Sequence, residues 1–187
     1  MGRRLLVGRH DPTVDRSMSV SMIRPATVID IPAVRAIALA TWPIAYKEIL
    51  SPYQLAYMLD LMYSEVALAE QMTTKGHNFL LAEVEDAPIG LAGFEHRYQG
   101  EPSTRLHKLY VLPKTQGHGA GGSLLNAVEA AAREAGDVQV ELNVNRFNAS
   151  RAWYEHRGFH ITHDEVIDIG QGYVMDDHVM VKLLAPT

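Results

Sequence analysis

Residues 116–122 read Gln-Gly-His-Gly-Ala-Gly-Gly and stand between a predicted strand and the most regular predicted helix of the chain. The strand covers residues 104–112, and the helix covers residues 119–135 with apolar residues on one face. A helix N-terminus presents about four backbone N–H groups without partners at the positive end of the helix dipole. Glycine lets that backbone approach an anion without an intervening side chain. The four glycines within residues 117–122 therefore predict an anion-binding loop rather than a plain turn.

Two other phosphate-binding motifs, the dinucleotide-binding fingerprint and the P-loop, fit this loop less well. The spacing Gly117-x-Gly119-x-x-Gly122 satisfies the dinucleotide-binding fingerprint, but residues 113–116 separate it from its strand. That fingerprint also needs an acidic residue about 20 residues further on, where this chain has Asn143 and Asn145. It would moreover open the first βαβ unit, whereas this loop follows several predicted strands. A P-loop is excluded, because no Gly-Lys-Ser/Thr follows the glycines.

The pattern over the rest of the chain predicts an α+β domain. Asp30, Ser51 and Ser64 are predicted to begin three helices, the first two with a proline in the first turn. Further helices are predicted at residues 119–135 and 148–157, each followed by a glycine. Alternating or continuous apolar runs predict the strands. These strands cover residues 23–26, 78–85, 88–98, 104–112, 138–144, a segment from 159 onward, and 173–184.

The composition is that of an ordinary globular domain without thiol chemistry. The chain has 187 residues, a formal net charge of −5 and no cysteine. The charge disfavours binding to nucleic acid or to an anionic membrane, and the lack of cysteine excludes disulfides, thiolate catalysis and cysteine-ligated metals. No apolar run approaches the roughly 20 residues of a membrane span, and no signal peptide is recognisable, so we expect a cytoplasmic protein. Residues 1–21 are predicted to be a flexible leader or tag-like segment before a single domain at 22–187.

Two segments resemble the GCN5-related N-acetyltransferase (GNAT) superfamily. Its acetyl-CoA signature, Gln/Arg-x-x-Gly-x-Gly/Ala after a strand and a proline, corresponds to residues 116–121 after Pro113. Residues 148–159, Asn-Ala-Ser-Arg-Ala-Trp-Tyr-Glu-His-Arg-Gly-Phe, are similar to the family's Asn…Tyr…Gly-Phe segment. The resemblance implies a mixed, mostly antiparallel central sheet flanked by helices, with two splayed strands that hold CoA. Residues 53–62 and 173–180 look most like the branch of polyamine (spermidine/spermine) acetyltransferases.

The resemblance implies that an amine attacks the thioester of bound acetyl-CoA directly, without a metal. Tyr154 occupies the position of the tyrosine that protonates the CoA sulfur. His107 stands where many relatives have a glutamate as the general base, and a water relay from Glu95 or another carboxylate is the alternative. Backbone N–H groups of the strand before the loop would polarise the acetyl carbonyl. The implied cofactor-binding residues are Leu109, Tyr110, Val111, Gln116, Gly117, His118, Gly119, Ala120, Gly121, Gly122, Ser123, Asn143 and Asn148.

Aromatic residues in the segment 41–63 are the candidates for the acceptor pocket. Trp42, Tyr46 and Tyr53 are predicted to hold an alkylammonium by cation–π contact, and packing between two helices is the alternative. Asp176 and Asp177 either add negative charge to this pocket or lie in solvent.

The remaining expectations concern the acceptor, the partners and a metal site. A polyamine or another small amine is the expected acceptor, with a protein N-terminus or lysine as the alternative. A non-catalytic acyl-CoA-binding module is the alternative of a different class, and the family also allows a homodimer. The spacing of His156, His160 and His163 suits metal ligands, but Gly158 ends the helix between them, so no metal is predicted.

Overall fold

The described part of the chain, residues 22–185 of a computed structural model, contains seven strands and five α-helices. The strands are β1 (Met22–Pro25), β2 (Asn78–Val84), β3 (Ala87–Glu95), β4 (Ser103–Val111), β5 (Gln139–Asn145), β6 (His160–Gly170) and β7 (Tyr173–Leu183). The helices are α1 (Ile31–Ala45), α2 (Pro52–Tyr63), α3 (Glu65–Thr73), α4 (Ala120–Glu134) and α5 (Ser150–His156). The predicted leader at residues 1–21 lies outside the described residues.

All seven strands form one mixed sheet in the order β1-β2-β3-β4-β5-β7-β6. Every neighbouring pair is antiparallel except β4 and β5, which are parallel. The parallel pair is joined only from Ser103 opposite Gln139 to Leu106 opposite Leu142. Both strands continue beyond these residues without pairing to each other, which leaves a gap in the middle of the sheet. The predicted α+β fold with splayed strands is thus confirmed.

Helices begin where local sequence provides partners for their first amides. The Ser51 hydroxyl accepts a hydrogen bond from the Gln54 N–H at 3.2 Å, and the Ser64 hydroxyl accepts one from the Ala67 N–H at 3.3 Å. These two serines therefore begin α2 and α3 as predicted. Helix α5 is shorter than predicted, because Asn148 lies in a turn before the helix and is not its first residue. The Asn148 side-chain oxygen accepts the Ser150 N–H at 2.8 Å, and the helix follows that turn.

Two hydrophobic cores lie on opposite faces of the sheet. Helix α4 packs on one face through Leu124, Leu125 and Val128, which are fully buried, and α5 adds Trp153 and Tyr154 at its edge. Helices α1, α2 and α3 pack on the other face, around buried residues that include Val34, Tyr63, Leu68 and Leu91. Each core is held by the burial of apolar surface on folding.

The segment at residues 28–45 is apolar enough to cross a membrane by length and composition alone, with a mean hydropathy of 1.5 over 18 residues. Asp30 and Arg35 interrupt the apolar residues of this segment, so it contains no continuous apolar run of that length. In the structure, α1 buries Val34, Ile37, Ala38 and Trp42 against the sheet. We therefore interpret it as a core helix.

A β-bulge interrupts β4 at the start of the gap. Lys108 lies opposite Gly93 and Leu106 lies opposite Phe94, so His107 has no partner in β3. A bulge turns two successive side chains towards the same face of a sheet. His107 and Lys108 accordingly face the side of α1, α2 and α3, and the sequence pattern contained no sign of this irregularity.

Candidate active site

A cavity of about 530 Å³ lies beside residues 116–122, and we refer to it as the loop cavity. It is bordered by β4, by the first turn of α4 and by α5, on the face of the sheet that carries α4. Its lining residues are Leu109, Val111, Thr115, Gln116, Gly117, Gly119, Ala120, Gly121, Gly122, Ser150, Trp153, Tyr154 and Arg157.

The glycine loop turns through two left-handed residues before α4 begins. The φ angle is +86° at Gly117 and +84° at Gly119, and a Cβ at either position would meet no atom within 4 Å. Glycine is therefore needed there for backbone conformation and not for space. The first hydrogen bond of α4 joins the Ser123 N–H to the Gly119 carbonyl, so the three preceding amides have no partner within the helix. The loop cavity thus has the free donors and the positive helix end that an anion requires.

A small cavity of about 50 Å³, the gap cavity, lies where β4 and β5 separate. It shares Tyr154 with the loop cavity and Tyr46 and His107 with a third cavity on the other face of the sheet. Asn148 also lines it, at the turn before α5. The gap cavity therefore connects the two faces of the sheet at one point.

The third cavity, of about 280 Å³, is referred to as the aromatic cavity. Helices α1 and α2, strands β4 and β5 and the hairpin of β6 and β7 surround it. Its lining residues are Trp42, Tyr46, Leu50, Met58, Met62, Tyr63, Tyr98, Arg105, Leu106, His107, Lys108, Tyr110, Asn143, Asn145, Ile167, Val174, Met175 and Asp177.

The predicted pocket aromatics separate into two groups. Trp42 and Tyr46 line the aromatic cavity with ring centroids 4.7 Å apart, and Trp42 also packs against Tyr63 at 5.5 Å. Trp42 therefore both lines the cavity and packs between helices, so the two alternatives from the sequence apply to it together. Tyr53 lies outside the cavity, and its prediction as a pocket residue is corrected. It is 83% exposed, because it lies in the first turn of α2, whose inward residues are Met58 and Met62.

Asp177 and Asp176 point in different directions, as neighbours on a strand do. Asp176 binds Arg146 at 2.8 Å, whereas the Asp177 carboxylate is buried against the aromatic cavity. Within residues 22–185, Asp177 forms no ion pair; Arg105, which lines the same cavity, is paired with Glu141 at 2.8 Å. Burial raises the pKa of Asp177 to about 6, although Asn143 and Arg105 oppose the shift.

His107 is part of a stacked pair of imidazoles that share one carboxylate. Its Nε2 lies 3.1 Å from Glu95 Oε2, and the His77 Nε2 lies 3.6 Å from the same oxygen. The two rings stack with centroids 4.2 Å apart. Burial, together with His77, Lys108 and Arg105, lowers the pKa of His107 to about 2. The His107 imidazole is therefore neutral at neutral pH.

His77, Glu95 and His107 are also the group of three ligand-type side chains, among residues 22–185, that lies close enough to share a metal ion. Parallel stacked rings direct their Nε2 atoms side by side rather than towards one point. The neutral His107 ring can instead donate its Nε2–H to Glu95 at 3.1 Å, whereas the His77 Nε2, at 3.6 Å, lies beyond hydrogen-bond distance. His156, a candidate from the sequence, uses its Nδ1 for the Ala152 carbonyl within α5.

Burial keeps the tyrosines around the gap protonated. It raises the pKa of Tyr154, of Tyr46 and of Tyr110 above the usual value for a phenol. Tyr154 lies between the loop and gap cavities, so its hydroxyl is protonated where the two cavities meet.

Most of the predicted cofactor residues line the loop cavity or the gap cavity. His118 and Ser123 line neither; His118 Nδ1 contacts the Thr115 carbonyl at 3.2 Å, and the Ser123 N–H belongs to the ladder of α4. The Tyr110 side chain packs with the core of α1, α2 and α3, because alternate residues of β4 face opposite sides. Four further residues line the loop cavity although the sequence did not predict them; they are Thr115, Ser150, Trp153 and Arg157.

Comparisons with known proteins agree with this geometry. Residues 50–175 match the family model of the acetyltransferase (GNAT) domain. An uncharacterized N-acetyltransferase of Mycobacterium tuberculosis is 30% identical over 151 residues, which cover 80% of this chain and 94% of that protein. The PaiA N-acetyltransferase of Thermoplasma acidophilum, solved in complex with coenzyme A, superposes with a TM-score of 0.75 at 23% identity, over 89% of this chain and 99% of that one. A ribosomal-protein-alanine N-acetyltransferase of Brucella melitensis gives a TM-score of 0.59 at 25% identity, over 87% and 99%.

A splayed sheet with an anion-binding helix end on one face and a pocket on the other defines an acyl-CoA-dependent transferase. The free amides of α4 and the loop cavity suit the pyrophosphate and arm of acetyl-CoA, with Tyr154 at the point where the thioester would meet an acceptor. The chain belongs to the GNAT family and is an acetyl-CoA-dependent N-acetyltransferase.

Proposed function

We propose that this N-acetyltransferase acetylates a small cationic amine, with polyamines as the first class to test. The observation that carries the proposal is the buried carboxylate of Asp177 on the aromatic cavity. A buried carboxylate without a cation is costly, and an ammonium group of the acceptor would compensate it. Trp42 and Tyr46 line the same cavity and can hold an alkylammonium chain by cation–π contact.

Arg105 and Lys108 line the cavity and are cations that oppose a cationic acceptor. Arg105 is paired with Glu141 at 2.8 Å, which leaves Lys108 to be considered. Its Nζ lies 5.2 Å from the centre of the Tyr63 ring and 5.8 Å from that of Phe79, so aromatic faces hold it. Burial and the neighbouring Lys75 lower the pKa of Lys108 to about 8, so Lys108 releases its proton more readily than an ordinary lysine. The cavity can therefore accept an ammonium beside Asp177.

The proposed reaction is direct transfer where the aromatic cavity meets the gap cavity, beside Tyr46 and His107. The acceptor ammonium binds at Asp177 and loses its proton to that carboxylate, whose raised pKa suits proton transfer near neutral pH. The neutral amine then attacks the thioester, and Tyr154 protonates the departing sulfur. His107, with its lowered pKa, is a weaker candidate for the base; in this proposal it is a neutral hydrogen-bonding group that Glu95 orients. His107 also lacks a partner in β3 and β5, so its backbone is placed to polarise the acetyl carbonyl.

The experiment is an acceptor panel in which the release of free CoA thiol is followed. We expect spermidine and 1,5-diaminopentane to exceed pentylamine in kcat/KM by about tenfold or more, because the second ammonium adds cation–π contacts that a neutral chain end lacks. Pentylamine is the matched control for chain length.

Peptides with a free N-terminal alanine and peptides with an internal lysine complete the panel. If a peptide exceeds every polyamine in kcat/KM by tenfold, the acceptor is a protein and the proposal of a small cationic amine is wrong. The expected homodimer and cytoplasmic location stay predictions.

A further inference from the structure

Arg157 occupies an unusual position for a surface arginine. It follows α5 directly, and its guanidinium carbon lies 4.7 Å from the centre of the Trp153 ring. A Cβ at Gly122 would lie 2.6 and 2.7 Å from the two terminal nitrogens of Arg157. The guanidinium therefore rests against the backbone of the first turn of α4, with both terminal nitrogens turned towards it.

No carboxylate among residues 22–185 pairs with this guanidinium. The contrast with Arg151, on the same short helix, is direct: Arg151 binds Glu155 at 3.4 Å across one helical turn. Arg157 lines the loop cavity instead.

The electrostatics of this position disfavour a bare cation. The N-terminus of α4 carries the positive end of a helix dipole and three amides without helical partners, so it repels a guanidinium. An anion that borders on both the helix end and the guanidinium would be attracted by both, and a guanidinium fork binds phosphate with two parallel hydrogen bonds. Gly122 is the residue whose missing side chain makes this approach possible.

We infer that Arg157 is a pyrophosphate-binding residue of the acetyl-CoA site, and that its guanidinium binds the anion beside the first turn of α4. It is a positioning and affinity residue, because it lies beside the glycine loop and takes no part in the acetyl transfer. This inference concerns the donor and does not depend on which amine is the acceptor.

The test compares the binding of CoA, dephospho-CoA and pantetheine to the wild-type chain and to Arg157→Gln. CoA is titrated by calorimetry, and the weaker pantetheine is measured by competition. We expect Arg157→Gln to weaken CoA and dephospho-CoA by the same factor, about 10-fold or more, because both contain the pyrophosphate. Pantetheine, which has no phosphate, should bind both proteins equally. Arg151→Gln is the matched control and should bind all three ligands as the wild type does.

A second variant separates the contact with phosphate from a merely structural role. Gly122→Ala places a Cβ where the Arg157 nitrogens lie, so it should weaken CoA by displacing the guanidinium. In the Arg157→Gln background the same change should have at most a small further effect.

Three outcomes would overturn the inference. Equal loss of pantetheine affinity would show that Arg157 only supports the fold of α5. If Arg157→Gln has a lower affinity for CoA but an unchanged affinity for dephospho-CoA, Arg157 binds the 3′-phosphate and not the pyrophosphate. Unchanged affinity for all three ligands would leave Arg157 no role in the donor site.

Discussion

Burial changes the protonation of individual side chains around the gap in opposite directions. It raises the pKa of the Asp177 carboxylate and of the Tyr154 hydroxyl, and it lowers the pKa of His107. In each case the low-polarity surroundings disfavour the charged form. The consequence is a site that holds a neutral imidazole, a protonated phenol and a carboxylate that titrates near pH 6.

Asp177→Asn is expected to increase stability while it removes activity. The pKa of Asp177 is about 6 in the folded chain and 3.8 in its usual surroundings. Between about pH 4 and pH 6, the folded chain therefore holds a proton on Asp177 that the unfolded chain has lost. The stability of the wild type therefore falls as pH rises from about 4 to 6, by up to about 3 kcal/mol. Asn does not ionise, so the variant should be more stable than the wild type at pH 8 by up to that amount, and of similar stability at pH 4.

Urea denaturation at pH 4 and pH 8 measures this difference, and acetyl transfer to spermidine should fall about 100-fold in kcat/KM. In the wild type, kcat/KM should decrease as pH falls below 6, because Asp177 then becomes protonated. Asp176→Asn, which changes the neighbouring carboxylate that pairs with Arg146 outside the cavity, is the control. An Asp177→Asn variant with full activity would remove Asp177 from the acceptor site.

Tyr154→Phe is expected to lower kcat about 100-fold and to leave the affinity for CoA within about twofold. The phenol would supply the proton for the leaving sulfur, whereas the ring itself packs at the edge of the α4 core and is retained in Phe. Steady-state rates with acetyl-CoA and a CoA titration measure the two quantities. Normal turnover of the variant would rule out the role of Tyr154 as the acid.

At the scale of elements, the hairpin of β6 and β7 covers the aromatic cavity by docking on α2. The Tyr57 hydroxyl donates to the Ile169 carbonyl at 2.5 Å, and the Gln54 side-chain amide donates to the Val174 carbonyl at 3.2 Å. The hairpin contributes Ile167, Val174 and Met175 to the cavity wall. Acceptor binding therefore depends on a contact between two elements that are far apart in sequence.

Tyr57→Phe removes one of these contacts and should loosen the hairpin. We expect a loss of about 1 kcal/mol in the free energy of unfolding and a KM for the amine raised several-fold. The affinity for CoA should not change, because the loop cavity lies on the other face of the sheet. Amide hydrogen exchange over residues 165–175 measures the loosening directly.

Tyr53→Phe is the matched control on the same helix, because Tyr53 is 83% exposed and lies outside the aromatic cavity. If Tyr57→Phe leaves both the exchange rates and the KM for the amine unchanged, the hairpin does not depend on this hydrogen bond.

At the scale of the whole molecule, the site depends on how the sheet is divided. Strands β4 and β5 pair over four residues and then separate, and the bulge at His107 lies at the first unpaired position of β4. One face of the gap carries the glycine loop and α5, and the other carries the aromatic cavity. The donor and the acceptor can therefore approach from opposite sides and meet near Tyr154 and Tyr46.

The sequence by itself determined the order of elements, the glycine loop and the family, because these depend on neighbouring residues. The free amides at the start of α4 need only the contiguous residues 116–122, and the helix starts at Ser51 and Ser64 need only partners three residues away. The tertiary structure alone decided the acceptor side. Asp177, Lys108 and Trp42 come from separate elements, and whether each faces a cavity depends on a bulge, on strand register and on helix rotation, which local patterns do not encode. For the same reason Tyr53 was placed wrongly and Arg157, which meets Gly122 only in the fold, was missed.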